Sequence, residues 1–266
     1  MKKLKIILPI LLILLTIYYC NTVPITGRKQ LNIIPASQIN ALSFQQYNEF
    51  IKSNKLSSDE KSTALVKKVG LNIKNAVERY FAEKKLSKEL NGYQWEFNLI
   101  ESEEVNAWCM PGGKVVVYTG ILPITKDETG LAVVMGHEIA HAVAQHGSER
   151  MSQGLLQQLG GLALDVALKN EPAATRELFL TAYGIGSTVG VILPYSRTHE
   201  SEADRLGLIF MAMAGYNPNE AIDFWQRMAN LNKAKLPEFL STHPSDETRI
   251  ANLKKYLPEA LQYYNR

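Results

Sequence analysis

Two hydrophobic rhythms run along the chain, and they change places near residue 92. From Ile39 to about Phe81 the apolar positions keep helical spacing, with Leu65, Val69, Ile73, Val77 and Phe81 on one face. Asn91-Gly92 signals a turn. Tyr93 to Ile100 then alternates, placing Trp95, Phe97 and Leu99 on one side, which predicts a strand. Pro111-Gly112-Gly113 turns the chain into Lys114 to Tyr118, a β-branched run that reads as a second strand. Beyond it the pattern is helical to the end, with breaks expected at Pro172, Pro194, Pro218 and Pro237. The expected fold class is α+β, mostly helical, with a small β-sheet.

Two stretches depart from these rhythms. At the start, Lys2, Lys3 and Lys5 precede an apolar run from Ile6 to Ile17. That is the layout of an export signal, too short for a comfortable membrane span. The run ends near Cys20, the position of an acylated cysteine in a bacterial lipoprotein, although Tyr18 and Tyr19 stand where a small residue is usual. Acyl chains on Cys20 then give the membrane affinity. The competing reading is an uncleaved N-terminal anchor. The second stretch, residues 154–195, is rich in Gly and apolar residues, and an ordinary membrane span is not expected of it. A buried helical pair is the plainer expectation; a lid, or a patch touching membrane or a partner, is the sharper one.

Composition narrows the function classes. The chain has 266 residues, 46% hydrophobic and 21% charged, which suits a globular protein with a full core. A net charge of +3, spread along the chain, gives no basic stripe, so no nucleic-acid partner is expected. Only Cys20 and Cys109 are present. With Cys20 lipidated, Cys109 has no intramolecular partner and reads as a small buried apolar residue.

The chemistry concentrates in His137-Glu138-Ile139-Ala140-His141. Residues four apart on a helix share a face, so both imidazoles can bind one Zn²⁺, and Glu138 beside them can serve as general base toward an attacking water. A chance HExxH arises in about 0.7% of chains of this composition. A catalytic zinc needs a third protein ligand and an open fourth position. A histidine six residues beyond His141 is excluded, because position 147 is Gly; a glutamate a few turns on is excluded by Gly160 and Gly161. His146 lies off the motif's face. The remaining candidate is His199-Glu200-Ser201-Glu202-Ala203-Asp204. Glu200 and Asp204 share a helix face and Glu202 points away. Glu200 is therefore expected as third ligand, with Asp204 accepting a ligand-histidine ring N–H. The competing view is a solvated acidic helix start.

HExxH followed by ExxxD, with Asn106-Ala107 leading to Pro111-Gly112-Gly113, then Tyr195-Ser196-Arg197 and Ser241-Thr242-His243-Pro244, resembles the HtpX and CAAX prenyl protease family of zinc metallopeptidases. The likeness runs from about Val23 to Arg249 and is nearest to the periplasmic BepA and LoiP branch and the mitochondrial inner-membrane relative. It implies a zincin-like (gluzincin) catalytic domain with one Zn²⁺ per chain. It implies endopeptidase cleavage of unfolded or extended cell-envelope proteins, as quality control. It also implies that the strand from Gly112 to Thr119, with Gly113, Lys114, Val115 and Val116, is an edge that pairs with an extended substrate. His243 resembles a residue that caps the zinc at rest, and Arg249 one that assists the transition state. The expected layout is a lipoprotein-type signal and lipidation site over 1–20, a tether over 21–37 and the metallopeptidase domain over 38–266. The expected location is the periplasmic face of a bacterial envelope membrane, lipid-anchored, the outer membrane favoured over the inner. The alternatives are an envelope lipoprotein chaperone or scaffold with a structural or latent zinc, and an integral membrane protease with residues 154–195 in the bilayer.

Overall fold

A computed structural model describes residues 20–23, 25–231, 238–243 and 247–264. They fall into two compact units, one from the described residues of 20–36 and 145–198, the other from those of 37–144 and 199–264.

The second unit holds the sheet and the HExxH helix. Helices α1 (Ala36–Ser53) and α2 (Glu60–Glu83) divide the single helical stretch that periodicity suggests between Ile39 and Phe81. The break is local chemistry: Asp59 caps α2 by accepting from the Ser62 N–H at 3.0 Å. Strands β3 (Glu96–Ile100), β4 (Ala107–Met110) and β5 (Lys114–Tyr118) form one sheet in the order β3-β5-β4. β5 runs parallel to β3 and antiparallel to β4.

This order corrects the expectation for Gly113, Lys114, Val115 and Val116. Val115 pairs with Phe97 on one side and Cys109 on the other, and Val116 with Asn98 and Trp108. The main chain of β5 is therefore committed on both edges; the outer strands of this sheet are β3, bridged at its Ile100 end to Leu56, and β4, which has no second strand partner among the described residues. β4 itself was not anticipated. Four residues, Ala-Trp-Cys-Met, are too few to display alternation.

After the short helix α3 (Leu122–Thr125), Asp127 caps α4 (Glu128–Val143), accepting from the N–H groups of Thr129 and Gly130 at 2.9 Å. Every residue from Gly130 to Val143 is buried. A helix apolar all round belongs at the centre of a fold, and α4 packs against α2, β4, α3 and α8 (Glu220–Ala229).

α4 also crosses α7 (Leu193–Met213) at a pair of glycines. A Cβ on Gly136 would sit 3.0 Å from the Gly207 carbonyl oxygen, and one on Gly207 would sit 3.0 Å from the His137 nitrogen. Two backbones can come this close only without side chains between them. The crossing brings the histidine-bearing turn of α4 against the turn of α7 that carries Asp204. The unit is completed by α9 (Glu238–Thr242) and α10 (Glu247–Tyr264), with Pro258 inside α10.

In the first unit, β1 (Cys20–Thr22) and β2 (Lys29–Leu31) pair antiparallel across the stretch expected as a tether. Helices α5 (His146–Ala167) and α6 (Ala173–Ser187) form an antiparallel hairpin, from which a π-turn over Thr188–Ile192 leads into α7. Pro172 caps α6 as expected of a break, whereas no break occurs at Pro194, because the π-turn runs straight into α7. The expectation of a buried pair fails here, because α6 has no buried residue. No described helix is long and apolar enough to cross a membrane.

Candidate functional site

The α4 histidines project from one face, as their spacing requires. His137 Nε2 and His141 Nε2 lie 3.1 Å apart. The α7 residue Glu200 meets both, with Oε2 3.3 Å from His137 Nε2 and Oε1 3.2 Å from His141 Nε2. His243, which follows α9, adds Nδ1 at 3.1 Å from His137 Nε2 and 3.0 Å from Glu200 Oε2. One donor atom from each of these four residues lies within 4.8 Å of all the others.

These separations test whether the residues fit a metal. Four ligands about 2.0–2.1 Å from a tetrahedral Zn²⁺ stand roughly 3.3 Å from one another. The shortest separations, 3.0 to 3.3 Å, lie near that spacing, with Glu200 turning one oxygen toward His137 and the other toward His141, and the four donors all lie within 4.8 Å of one another. The chemistry also fits. Three imidazoles and a carboxylate converge with lone pairs facing a common point, which positive charge must reconcile. The His141 charge and hydrogen bonds from His137, His141 and His243 overcome burial and hold Glu200 well below the usual carboxylate range. Burial and Arg249 disfavour protonation of His137, but Asp204 and Glu200 outweigh them and raise it to about 9. The pocket thus draws a cation.

The surrounding residues fix this cluster. Asp204 Oδ1 lies 3.0 Å from His137 Nδ1, the ring nitrogen turned away from the shared point. Arg249 donates to the same Asp204 oxygen at 2.6 Å and lies 3.3 Å from Glu200 Oε2. Its guanidinium stacks 3.3 Å above the Trp225 ring. Trp225 stacks in turn on Phe239, and Phe239 lies 4.8 Å from the His243 ring. Trp225 and Phe239 were not anticipated: no short motif marks them, and only the apolar face of α8 hints that Trp225 points inward.

Glu138 is buried beside the cluster, with Oε1 3.4 Å from His243 Nε2. Cys109 on β4 is half-buried, and burial followed by the Glu138 charge pushes its thiol well above the ordinary value. β4 packs against α4, the helix that carries Glu138. Glu202 is buried but outside the cluster, and His146 belongs to the other unit. Gly113, Lys114, Val115 and Val116 lie within the sheet, one strand removed from the β4 edge. The side chain of Cys20 lies outside the described residues, although its backbone pairs with Leu31 in β1.

Comparison with known proteins gives a consistent picture. The sequence model described as Peptidase family M48 matches residues 67–257. The chain is 36% identical over 185 residues to the mitochondrial metalloendopeptidase OMA1 of Saccharomyces cerevisiae, covering 66% of this chain and 51% of that one. It is 34% identical over 253 residues to the mitochondrial metalloendopeptidase OMA1 of Bos taurus, covering 90% and 46%. It is 32% identical over 168 residues to a putative beta-barrel assembly-enhancing protease of Vibrio cholerae, covering 60% and 34%. The chain spans about half the length of the first of these relatives.

Proposed function

Because the chain belongs to peptidase family M48, a family of metallopeptidases, we propose that it is a zinc-dependent endopeptidase acting on unfolded or extended cell-envelope proteins. The observation that carries this reading is the convergence of His137, His141 and Glu200 at tetrahedral spacing with Glu138 alongside. A divalent cation held there supplies Lewis-acid polarisation of the scissile carbonyl and makes water acidic near neutral pH. The protein's own part is proton handling and orientation. Glu138 takes a proton from the attacking water and passes it to the leaving amine. Asp204 fixes the His137 ring through Nδ1, leaving Nε2 for the ligand position. Arg249, held between Asp204 and the Trp225 face, offers a fixed positive charge for the developing oxyanion.

Extended substrate adds to the open edge of β4, from Ala107 to Met110, by main-chain hydrogen bonds. This replaces β5 as the docking strand. The chain is held at the envelope by its N-terminal segment, with Cys20 acylated. Envelope quality control is the role these features suit, and one relative's name, beta-barrel assembly-enhancing protease, supports the same setting.

A second reading has its own observation: His243 stands at the fourth corner of the ligand set. A closed four-ligand zinc is the structural arrangement, and an open one the catalytic arrangement. On this reading the enzyme rests latent, and His243 leaves before substrate enters.

Glu138→Gln separates enzyme from scaffold. It is expected to keep zinc at about one ion per chain and to abolish cleavage of unfolded casein by the full chain. Undiminished chelator-sensitive cleavage by this variant would overturn the mechanism. Absence of cleavage by the unmodified chain, even with His243→Ala, would favour the scaffold reading.

A further inference from the structure

The α5–α6 hairpin presents a surface that water does not stabilise. Leu162 is 63% exposed and Val166 65% on α5, and Leu178 is 67% and Ile185 61% on α6. Leu155, Leu159, Leu162 and Val166 share one face of α5, and Leu178 and Ile185 one face of α6. α6 packs along α5 but buries no residue there, and short helices in water depend on an amphipathic face docked on something. The hairpin must therefore be covered.

Charge shows what covers it. From Met151 to Leu164, and again from Leu178 to Ser196, there is no charged residue. Charge on the hairpin gathers at its tip, where Asp165 and Arg176 neutralise each other at 2.5 Å and Lys169, Glu171 and Glu177 are exposed. At its base, Lys29, Arg150 and Arg197 are exposed and all basic. An uncharged apolar hairpin footed by cations suits an anionic bilayer surface, with apolar side chains among acyl chains and cations among headgroups. A charged tip disfavours insertion tip-first, so the hairpin lies along the interface.

The chain's own course places a bilayer within reach. The base of α5 is tied to the β1–β2 ladder by the buried Arg28–Glu149 ion pair at 2.7 Å, by Asn32 donating to Gln145 at 2.8 Å, and by the Ile33 N–H donating to Ser152 at 3.0 Å. β1 includes Cys20, the residue proposed above to carry the acyl anchor, so on that reading the anchoring bilayer lies beside this ladder. A mostly apolar cavity of about 310 Å³, lined by Leu31, Leu156, Tyr183 and Ile192, opens at the same base.

We propose that the α5–α6 hairpin is an interfacial membrane-docking element that lies on an anionic lipid bilayer and seats the first unit against it. It is separate from the N-terminal segment and needs no acyl chain.

The test uses the full chain with Cys20→Ser and Cys109→Ala, so that no acyl anchor exists and one new cysteine can be labelled. An environment-sensitive NBD probe is placed at Leu178→Cys, and in a control at Lys61→Cys, an exposed α2 position. Vesicles of phosphatidylcholine are compared with vesicles containing about a third phosphatidylglycerol. The expected result is a blue shift and quenching by brominated lipid at 178 but not at 61, stronger with the anionic vesicles and reduced several-fold by Leu162→Glu with Ile185→Glu. Three results would overturn the proposal. One is an unshifted 178 probe on vesicle-bound protein. Another is no vesicle binding. The third is a blue shift that appears without vesicles and grows with protein concentration, which identifies a second copy as the cover.

Discussion

At the residue scale, two carboxylates separated by one residue have different fates, and side-chain direction decides between them. Glu200 leaves α7 toward His137 and His141, whereas Glu202 is buried elsewhere in the same unit. Glu200→Ala is accordingly expected to reduce bound zinc at least tenfold, and Glu202→Ala to leave about one zinc per folded chain, both read by metal analysis of purified protein. The reverse pattern would show the ligand to be misassigned. Arg249 gives a second prediction. Its planar guanidinium both pairs with Asp204 and stacks on Trp225, and an ammonium cannot do both. Arg249→Lys is expected to lower kcat/KM about tenfold or more with zinc retained, measured on an unfolded substrate. Much of this site was legible in the sequence because its geometry is local: His137 and His141, or Glu200 and Asp204, sit on one face by helical spacing alone. Trp225 and Phe239 were not legible, since their roles arise from how α8 and α9 pack beneath Arg249 and His243, and no spacing encodes that.

At the element scale, the site depends on how closely α4 and α7 approach. Gly136 and Gly207 permit it, and a methyl at 207 would press on the His137 backbone at 3.0 Å. Gly207→Ala is expected to destabilise the fold by about 1–3 kcal/mol and to weaken zinc binding, because the helices must part by a few tenths of an ångström. Thermal unfolding and a zinc titration check the two effects separately. The start of α4 carries a pH-dependent contact as well. Glu128 accepts from Lys68 at 2.8 Å and from the Tyr216 hydroxyl at 2.7 Å, and both lower its pKa, Lys68 first. A carboxyl lowered in the folded state adds stability above its unfolded value near 4.5 and loses it as pH falls below that. Glu128→Gln is expected to cost about 0.5–1 kcal/mol at pH 7, given the exposed Lys68 partner, and to cost nothing by about pH 3, read from urea unfolding at both values. Elements were less legible than residues. β4 is too short to show a rhythm, and which strand takes the centre of a three-stranded sheet depends on pairing between β3 and β5, not on composition. That is why the sequence alone points to β5 as the substrate edge.

At the scale of the whole molecule, the metal site ties together segments remote in sequence. Its ligands come from α4, from α7 and from the residue that follows α9, so a bound cation cross-links elements far apart in sequence. Anything that binds the folded state alone stabilises it by RT ln(1 + [L]/Kd), about 2.7 kcal/mol at a hundredfold excess over Kd. Chelation is therefore expected to lower the melting temperature of the full chain by several degrees, and zinc to restore it. The same cross-link makes stability and activity oppose one another at His243. Removing that ring takes away one ligand, so His243→Ala is expected to bind zinc more weakly and melt lower. It also opens the fourth position next to Glu138 and the β4 edge, so its cleavage of unfolded substrate is expected to rise several-fold at saturating zinc. A catalytic role for the ring predicts the opposite sign, a loss of kcat, and a merely structural role predicts a fall in stability with kcat unchanged. Melting temperature and kcat of this one variant, measured together at saturating zinc, therefore decide whether the zinc site of this M48 chain is gated by its own fourth ligand.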